Sequence, residues 1–423
     1  MKKHGGEHLI TKIEIFEQVV AMMKQDSSTK KDLKGADPDM YRRQITNEMK
    51  NEDFLYQMRC YLASFGIISH VSFHPKHRQA LGFRLRKFEN RLYVLNANPD
   101  TDLRVADQII LIDNQTIPAF YQVHRDYFVS ETEERQYMEW AYFVAKSDTV
   151  TLLRNGQEQT ISVQETKLTT HTPAFEYKQL SEETLYLKME NFFDEEAIAN
   201  LYQESSSAIS TAKNVIVDVR VNHGGSDSLY FPLLQYALSD GKSFKDVTFS
   251  DDGMEILYTK RNVELRLQDF QAMLRQEDIS PETRNMLEQF ITELAVNKDK
   301  GYVLYDQSDE AILPDVTGQA KPEKLFILSD VYCGSSGDNF VSMMKAFDKV
   351  TVIGRPTLGI LDYSNCCTVD FGDYEFVFPT SRSLTVDKGQ GMNDKGVIPD
   401  IFIPWTPEHL ERDIDLEECL KLR

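Results

Sequence analysis

The segment LFILSDVYCGSSGDNF, residues 325–340, concentrates residue types that can do chemistry. An apolar run ends near Asp330, the chain turns through Cys333 and Gly334, and Ser335 and Ser336 stand just before a helical stretch. A serine at such a strand–turn–helix junction has an exposed hydroxyl with backbone N–H groups close by. The first amides of the helix and its positive dipole end favour an anion forming there. Local pattern leaves two readings open, a nucleophile or a serine that only caps the helix. Cys333 reads as a small buried residue. A second segment, VIVDVRVNHGGSDS, places Gly224 and Gly225 after an apolar strand. Paired glycines allow positive φ or close backbone approach, which suits an oxyanion or peptide-binding loop as well as a plain tight turn. Neither GxxxxGK[ST] nor GxGxxG occurs, so nucleotide sites have no support.

A serine nucleophile needs a base, and the chain has nine histidines. His4 and His8 fall in a terminus expected to fray. His223 adjoins the glycine loop. His70, His74 and His77 cluster, but no acidic partner stands at a metal-site spacing, so neither a metal nor a cofactor is expected.

Three regions must position these side chains. Residues 1–76 read as helical, with Ile13, Phe16, Val19, Val20 and Met23 striping one face. A second helical stretch runs around Tyr41 to Phe65, and FGIISHVSFHP forms a tight connection carrying His70 and His74. Residues 77–168 read as a compact β-rich module. Two strands flank a turn at Glu89-Asn90, a third meets an Asp113-Asn114 turn, and Asn155-Gly156 closes a hairpin. Residues 169–423 read as α/β. Asp194 starts a helix after the strand LYLKMENF, and KNVIVDVRV, KLFILSD and KVTVIGRP are apolar strands of a sheet covered on both faces. A long insert at about 230–320 reads as a lid or substrate-facing subdomain.

At 423 residues the chain is long enough for two or three domains of roughly 150 residues each. With 41% hydrophobic residues, 24 Phe and 19 Tyr it has ample core material. Lys and Arg number 47 against 67 Asp and Glu, a net charge of −20 that argues against nucleic acid and anionic membrane surfaces. No apolar run is long enough to span a bilayer. Five cysteines with no zinc spacing fit a reducing, cytoplasmic location; an extracytoplasmic one would require a signal segment removed ahead of residue 1.

In their order these motifs resemble the S41 family of serine peptidases, the tail-specific or C-terminal processing peptidases. Asp218, Arg220, Asn222, Gly224 and Gly225 reproduce the family's D-x-R-x-N-x-G-G stretch. Ser335-Ser336-Gly337-Asp338 matches its S-A-S-E segment, Gly354 to Gly359 its GxxTxG, and Gly396-Val397-Ile398-Pro399-Asp400-Ile401 its terminal G-[IV]-x-P-D-[IV]. The resemblance covers about residues 65 to 403. It implies an α/β, crotonase-like (ClpP/crotonase) catalytic domain, an N-terminal helical region that supplies the base, and an inserted PDZ-like module. VADQIILIDNQTI is similar to a PDZ stretch, with Ala106 and Asn114 replacing the usual glycines.

The activity implied is a serine endopeptidase acting on flexible or C-terminal polypeptide through an acyl-enzyme on Ser335. The lysine of Ser-Lys members has Ile360 in its place, and isoleucine takes no proton. His70 occupies the position of the histidine in D-G-H-[TS], with Ser69 for the glycine, and the resemblance makes it the base. The third group falls on Asp394, with Asn393 in the family's exact slot as the alternative. The oxyanion donors would be the Ser336 N–H and that of Gly224 or Gly225, with Asp218, Arg220 and Asn222 as structural members. The competing readings are a non-catalytic peptide-binding protein on this scaffold, a serine esterase, and a crotonase-like enzyme.

Overall fold

The computed structural model describes residues 10–77, 81–163, 172–247, 253–276, 279, 281–305 and 316–422. His4, His8 and the expected boundary at 168/169 lie outside them. The first apolar stripe forms the helix Lys12–Gln25, where Thr11 and Glu14 cap each other's backbone N–H groups. Phe16 packs edge-on against Tyr61 of the helix Asn51–Ala63. Ile13, at the margin of that stripe, is 43% exposed, and Ile15 is buried instead.

Six strands form the sheet that carries the chemistry, in the order Ile401–Phe402, Val350–Gly354, Lys324–Ser329, Asn214–Asp218, Thr184–Met189 and Phe175–Ser181. The first five run parallel and the last antiparallel. Both faces are covered, which is why the central strands are apolar without alternation. Val215, Val217 and Ile327 pack under Ile198, Leu201, Leu233 and Phe340 on one side. Ile216, Phe326 and Leu328 meet Cys419 and Leu416 on the other.

The module between is a separate antiparallel sheet of Phe83–Phe88, Arg91–Ala97, Gln108–Ile112, Val150–Arg154 and Gln157–Ile161. Its turns fall at Glu89, Asp113-Asn114 and Asn155-Gly156, all with positive φ. The third sheet is built on Tyr374–Ser383. Tyr363–Asp370 pairs along one edge, while Ser72–Pro75 and Met254–Tyr258 share the other. Gly301–Leu304 pairs outside Met254–Tyr258.

The insert is tied into this sheet by its strand Met254–Tyr258. Ser72–Pro75 covers only part of its edge, and an uncovered edge is a row of unpaired backbone groups that the insert's strand satisfies. One hydrophobic cluster joins the N-terminal helices, the module and the third sheet, from Phe16 through Leu92 and Val150 to Phe378. It crosses the 76/77 boundary read from sequence. No helix among the described residues is long and apolar enough to cross a membrane.

Candidate active site

Ser335 sits where the strand Lys324–Ser329 gives way to the helix Ser336–Met344, at φ 59 and ψ −124. That strained conformation is unusual for a residue with a Cβ and belongs to sharp nucleophile turns. Gly337 makes the turn possible, since a Cβ there would stand 2.8 Å from the Cys333 Sγ and 3.2 Å from the Asn222 carbonyl oxygen. The buried Asp338 carboxylate accepts from the Ser335 N–H at 2.8 Å, the Gly359 N–H at 2.8 Å and the Ile360 N–H at 3.1 Å. It thus clamps the nucleophile turn to residues 359–360. Burial raises its pKa against the lowering effect of those bonds.

The glycine loop closes on the same turn. Asn222 donates to the Met189 carbonyl at 2.9 Å and accepts from the Gly224 N–H at 2.9 Å, and its own carbonyl takes the Gly334 N–H at 3.0 Å. A Cβ on Gly224 would lie 2.6 Å from the Ser335 Cβ. Phe192 donates to the Gly224 carbonyl and accepts from the Ser226 N–H, both at 2.7 Å. Gly224's N–H is thus taken, whereas the N–H groups of Gly225 and Ser336 have no acceptor among the described residues. Asp218 and Arg220 pair with one another, and Arg220 reaches on to Asp413 and Asp415. Gly396 packs against the Thr357 carbonyl, and Val397 donates to the Thr357 hydroxyl at 2.8 Å. The terminal motif thus supports the GRPTLG loop.

His70 follows Ser69, which adopts φ 70, the left-handed conformation that a glycine takes freely. The His70 Nδ1 is 2.5 Å from the Tyr363 carbonyl oxygen. A carbonyl only accepts, so Nδ1 carries the proton and Nε2 is the basic nitrogen of the neutral ring. Burial lowers the His70 pKa, with the Tyr363 and Ile360 carbonyls pulling the other way. Ile360, in the place of the family lysine, is buried with Ile68 and Leu358 and packs toward Gly334. The segment 357–363 therefore contacts both the nucleophile turn and the histidine.

The hydrogen bonds of Asp394 and Asn393 go elsewhere than to the histidine. Asp394 accepts from the Ser130 hydroxyl, and the Asn393 side chain donates to the Gly66 carbonyl at 2.7 Å, bracing the loop that leads to His70. Arg135, buried, donates to the carbonyls of Thr357 at 2.7 Å, Leu358 at 3.1 Å and Lys395 at 2.7 Å. His223 is exposed and Cys333 is buried, its thiol pKa raised by burial.

Sequence reading missed three groups. The Tyr363 carbonyl has no side-chain signature. Arg135 is read only through the carbonyls it meets. Asp227 accepts from the Ser336 hydroxyl and from the Asn339 amide at 2.7 Å, and Asn339 also donates to the Tyr230 hydroxyl at 3.1 Å. An acid two residues past the paired glycines was a visible signal for it.

A family model described as peptidase family S41 matches residues 183–403, which include the glycine loop, the serine turn and the terminal motif. The structure of mature CPAF complexed with lactacystin matches at a TM-score of 0.64 and 12% identity, covering 97% of each chain. A second structure of mature CPAF matches at 0.64 and 14%, covering 97% of this chain and 96% of that one. At such identities the likeness is one of fold, and it extends through the helices and the module as well as the matched region.

Proposed function

The chain belongs to peptidase family S41 and is by that membership a serine-type peptidase; on that premise we propose a Ser335–His70 endopeptidase acting on flexible or C-terminal polypeptide. The observation that carries it is the Tyr363 carbonyl on the His70 Nδ1, which leaves Nε2 basic. In this reading Nε2 takes the Ser335 proton as Oγ attacks the scissile carbonyl, then gives it to the leaving amine. Water resolves the acyl-enzyme by the same route. The Ser336 and Gly225 N–H groups receive the oxyanion. Gly225 is preferred over Gly224 because the latter's N–H is already held by Asn222.

In this reading the Tyr363 carbonyl takes the position on the histidine expected of the Asp394 or Asn393 side chain. We place Asp394 and Asn393 in the bracing around it, through Ser130 and Gly66. The catalytic region takes the crotonase-like arrangement in this account, and the sheet of residues 83–161 serves as a PDZ-like module that holds substrate by strand addition.

The test is peptide turnover by Ser335→Ala and His70→Ala, with mass spectrometry of protein quenched during turnover. We expect an acylated Ser335 peptide in the wild type and loss of turnover in both variants. Full activity in His70→Ala would remove the histidine from the mechanism.

A further inference from the structure

Asp227 lies at the first turn of the helix Ser336–Met344 and has a negative charge that no cationic side chain among the described residues pairs. Its carboxylate is held by two neutral donors, the Ser336 hydroxyl and the Asn339 amide, and it is half-exposed. Among the described residues no lysine, arginine or histidine forms an ion pair with it, whereas the buried Asp218, Asp330 and Asp415 elsewhere in the fold each pair with arginine. Neutral donors fix the direction of a carboxylate without neutralising it, and two of its lone-pair sites stay available for a further donor.

Its place makes that charge consequential. Ser336 follows the nucleophile, so the carboxylate lies within about 9 Å of the Ser335 Cα by backbone and side-chain dimensions. An unmatched negative charge beside a site where an oxyanion forms opposes the reaction of an uncharged substrate. A cation brought by the substrate removes that opposition and gains an oriented, partly desolvated partner.

We propose that Asp227 is a specificity-determining residue that selects a lysine or arginine side chain next to the scissile bond. This rests on the serine peptidase reading and deepens it by naming the substrate class. The net charge of −20 acts in the same direction, drawing cationic polypeptide toward the protein.

The experiment uses the full chain and matched fluorogenic peptides that differ only in arginine or citrulline, placed in turn on either side of the scissile bond. Citrulline keeps the shape and removes the charge. The wild type is expected to favour arginine at one of the two positions by roughly tenfold or more in kcat/KM, a preference that weakens as salt is added. Asp227→Asn is expected to lose the preference, its arginine turnover falling toward that of the citrulline peptide. If Asp227→Asn slows both peptides equally, the residue only positions Ser336 and the inference is overturned. Equal turnover of the arginine and citrulline peptides by the wild type at both positions overturns it as well. Fluorophosphonate labelling of Ser335 separates the levels. Labelled protein that cleaves without charge preference sinks this inference alone, whereas no labelling and no cleavage sinks the peptidase reading along with it.

Discussion

Burial penalises the imidazolium of His70, so its pKa lies below the ordinary value of 6.5. As a base it must be neutral to act, so kcat/KM should rise with pH through a midpoint below 6.5 and be flat by neutrality. A midpoint above pH 7 would contradict this assignment. The same shift bears on stability. The unfolded histidine binds its proton near 6.5 and the folded one at lower pH, so this contribution is complete above 6.5 and is lost as pH falls toward the folded value. Asp338 makes a second prediction. Replacing it with alanine strands the buried N–H groups of Gly359 and Ile360, at about 1–3 kcal/mol for each, and the half-buried one of Ser335. A clear drop in melting temperature together with slower Ser335 labelling is expected; an unchanged melting curve would mean that the clamp is dispensable.

At the scale of elements, the bridge between Phe192 and the glycine loop can be tested alone. A Cβ on Gly225 would stand 1.9 Å from the Phe192 carbonyl oxygen, a backbone atom that cannot swing aside. Gly225→Ala should therefore displace the proposed oxyanion donor and lower kcat by about the 10²–10³ that one such donor contributes. Wild-type kcat in that variant would move the oxyanion site elsewhere. Arg86 links two sheets in a similar way. From the strand Phe83–Phe88 it makes bonds of 3.0 and 2.8 Å to Asp330, whose pKa is lowered to about 2 against the opposing effect of burial by Arg355 and Arg86. Arg86→Ala should destabilise in chemical denaturation by less than the about 3–5 kcal/mol of a fully broken buried pair, because Arg355 still holds Asp330. The elements that sequence made legible are those whose signal is local. Apolar strands such as Asn214–Asp218 announced a sheet covered on both faces, and Asn155-Gly156 announced its hairpin. The Met254–Tyr258 strand was missed because what defines it is the vacant edge of a strand more than a hundred residues later in the chain.

The candidate site divides the same way when the whole molecule is considered. Ser335, the paired glycines and His70 carry side-chain or motif signals. The partner of His70 does not, since it is a peptide oxygen 293 positions away that only the tertiary fold brings to the ring. The common core has a physical consequence. Phe16, Leu92, Val150 and Phe378 belong to one hydrophobic cluster, so a fragment starting at residue 172 would leave Phe376, Phe378 and Tyr374 without their cover. Such a fragment is expected to lack near-ultraviolet dichroism and Ser335 labelling, and a folded, labelled fragment would show that the regions are independent.

The central claim is that Ser335 is activated by His70, and the most direct measurement is the rate of fluorophosphonate labelling of Ser335 as a function of pH in the wild type and in His70→Ala. The account expects the wild-type rate to follow a single deprotonation below pH 6.5 and to fall by orders of magnitude, without that titration, in the variant. A variant labelled at the wild-type rate, with the same pH dependence, would show that another group activates the serine.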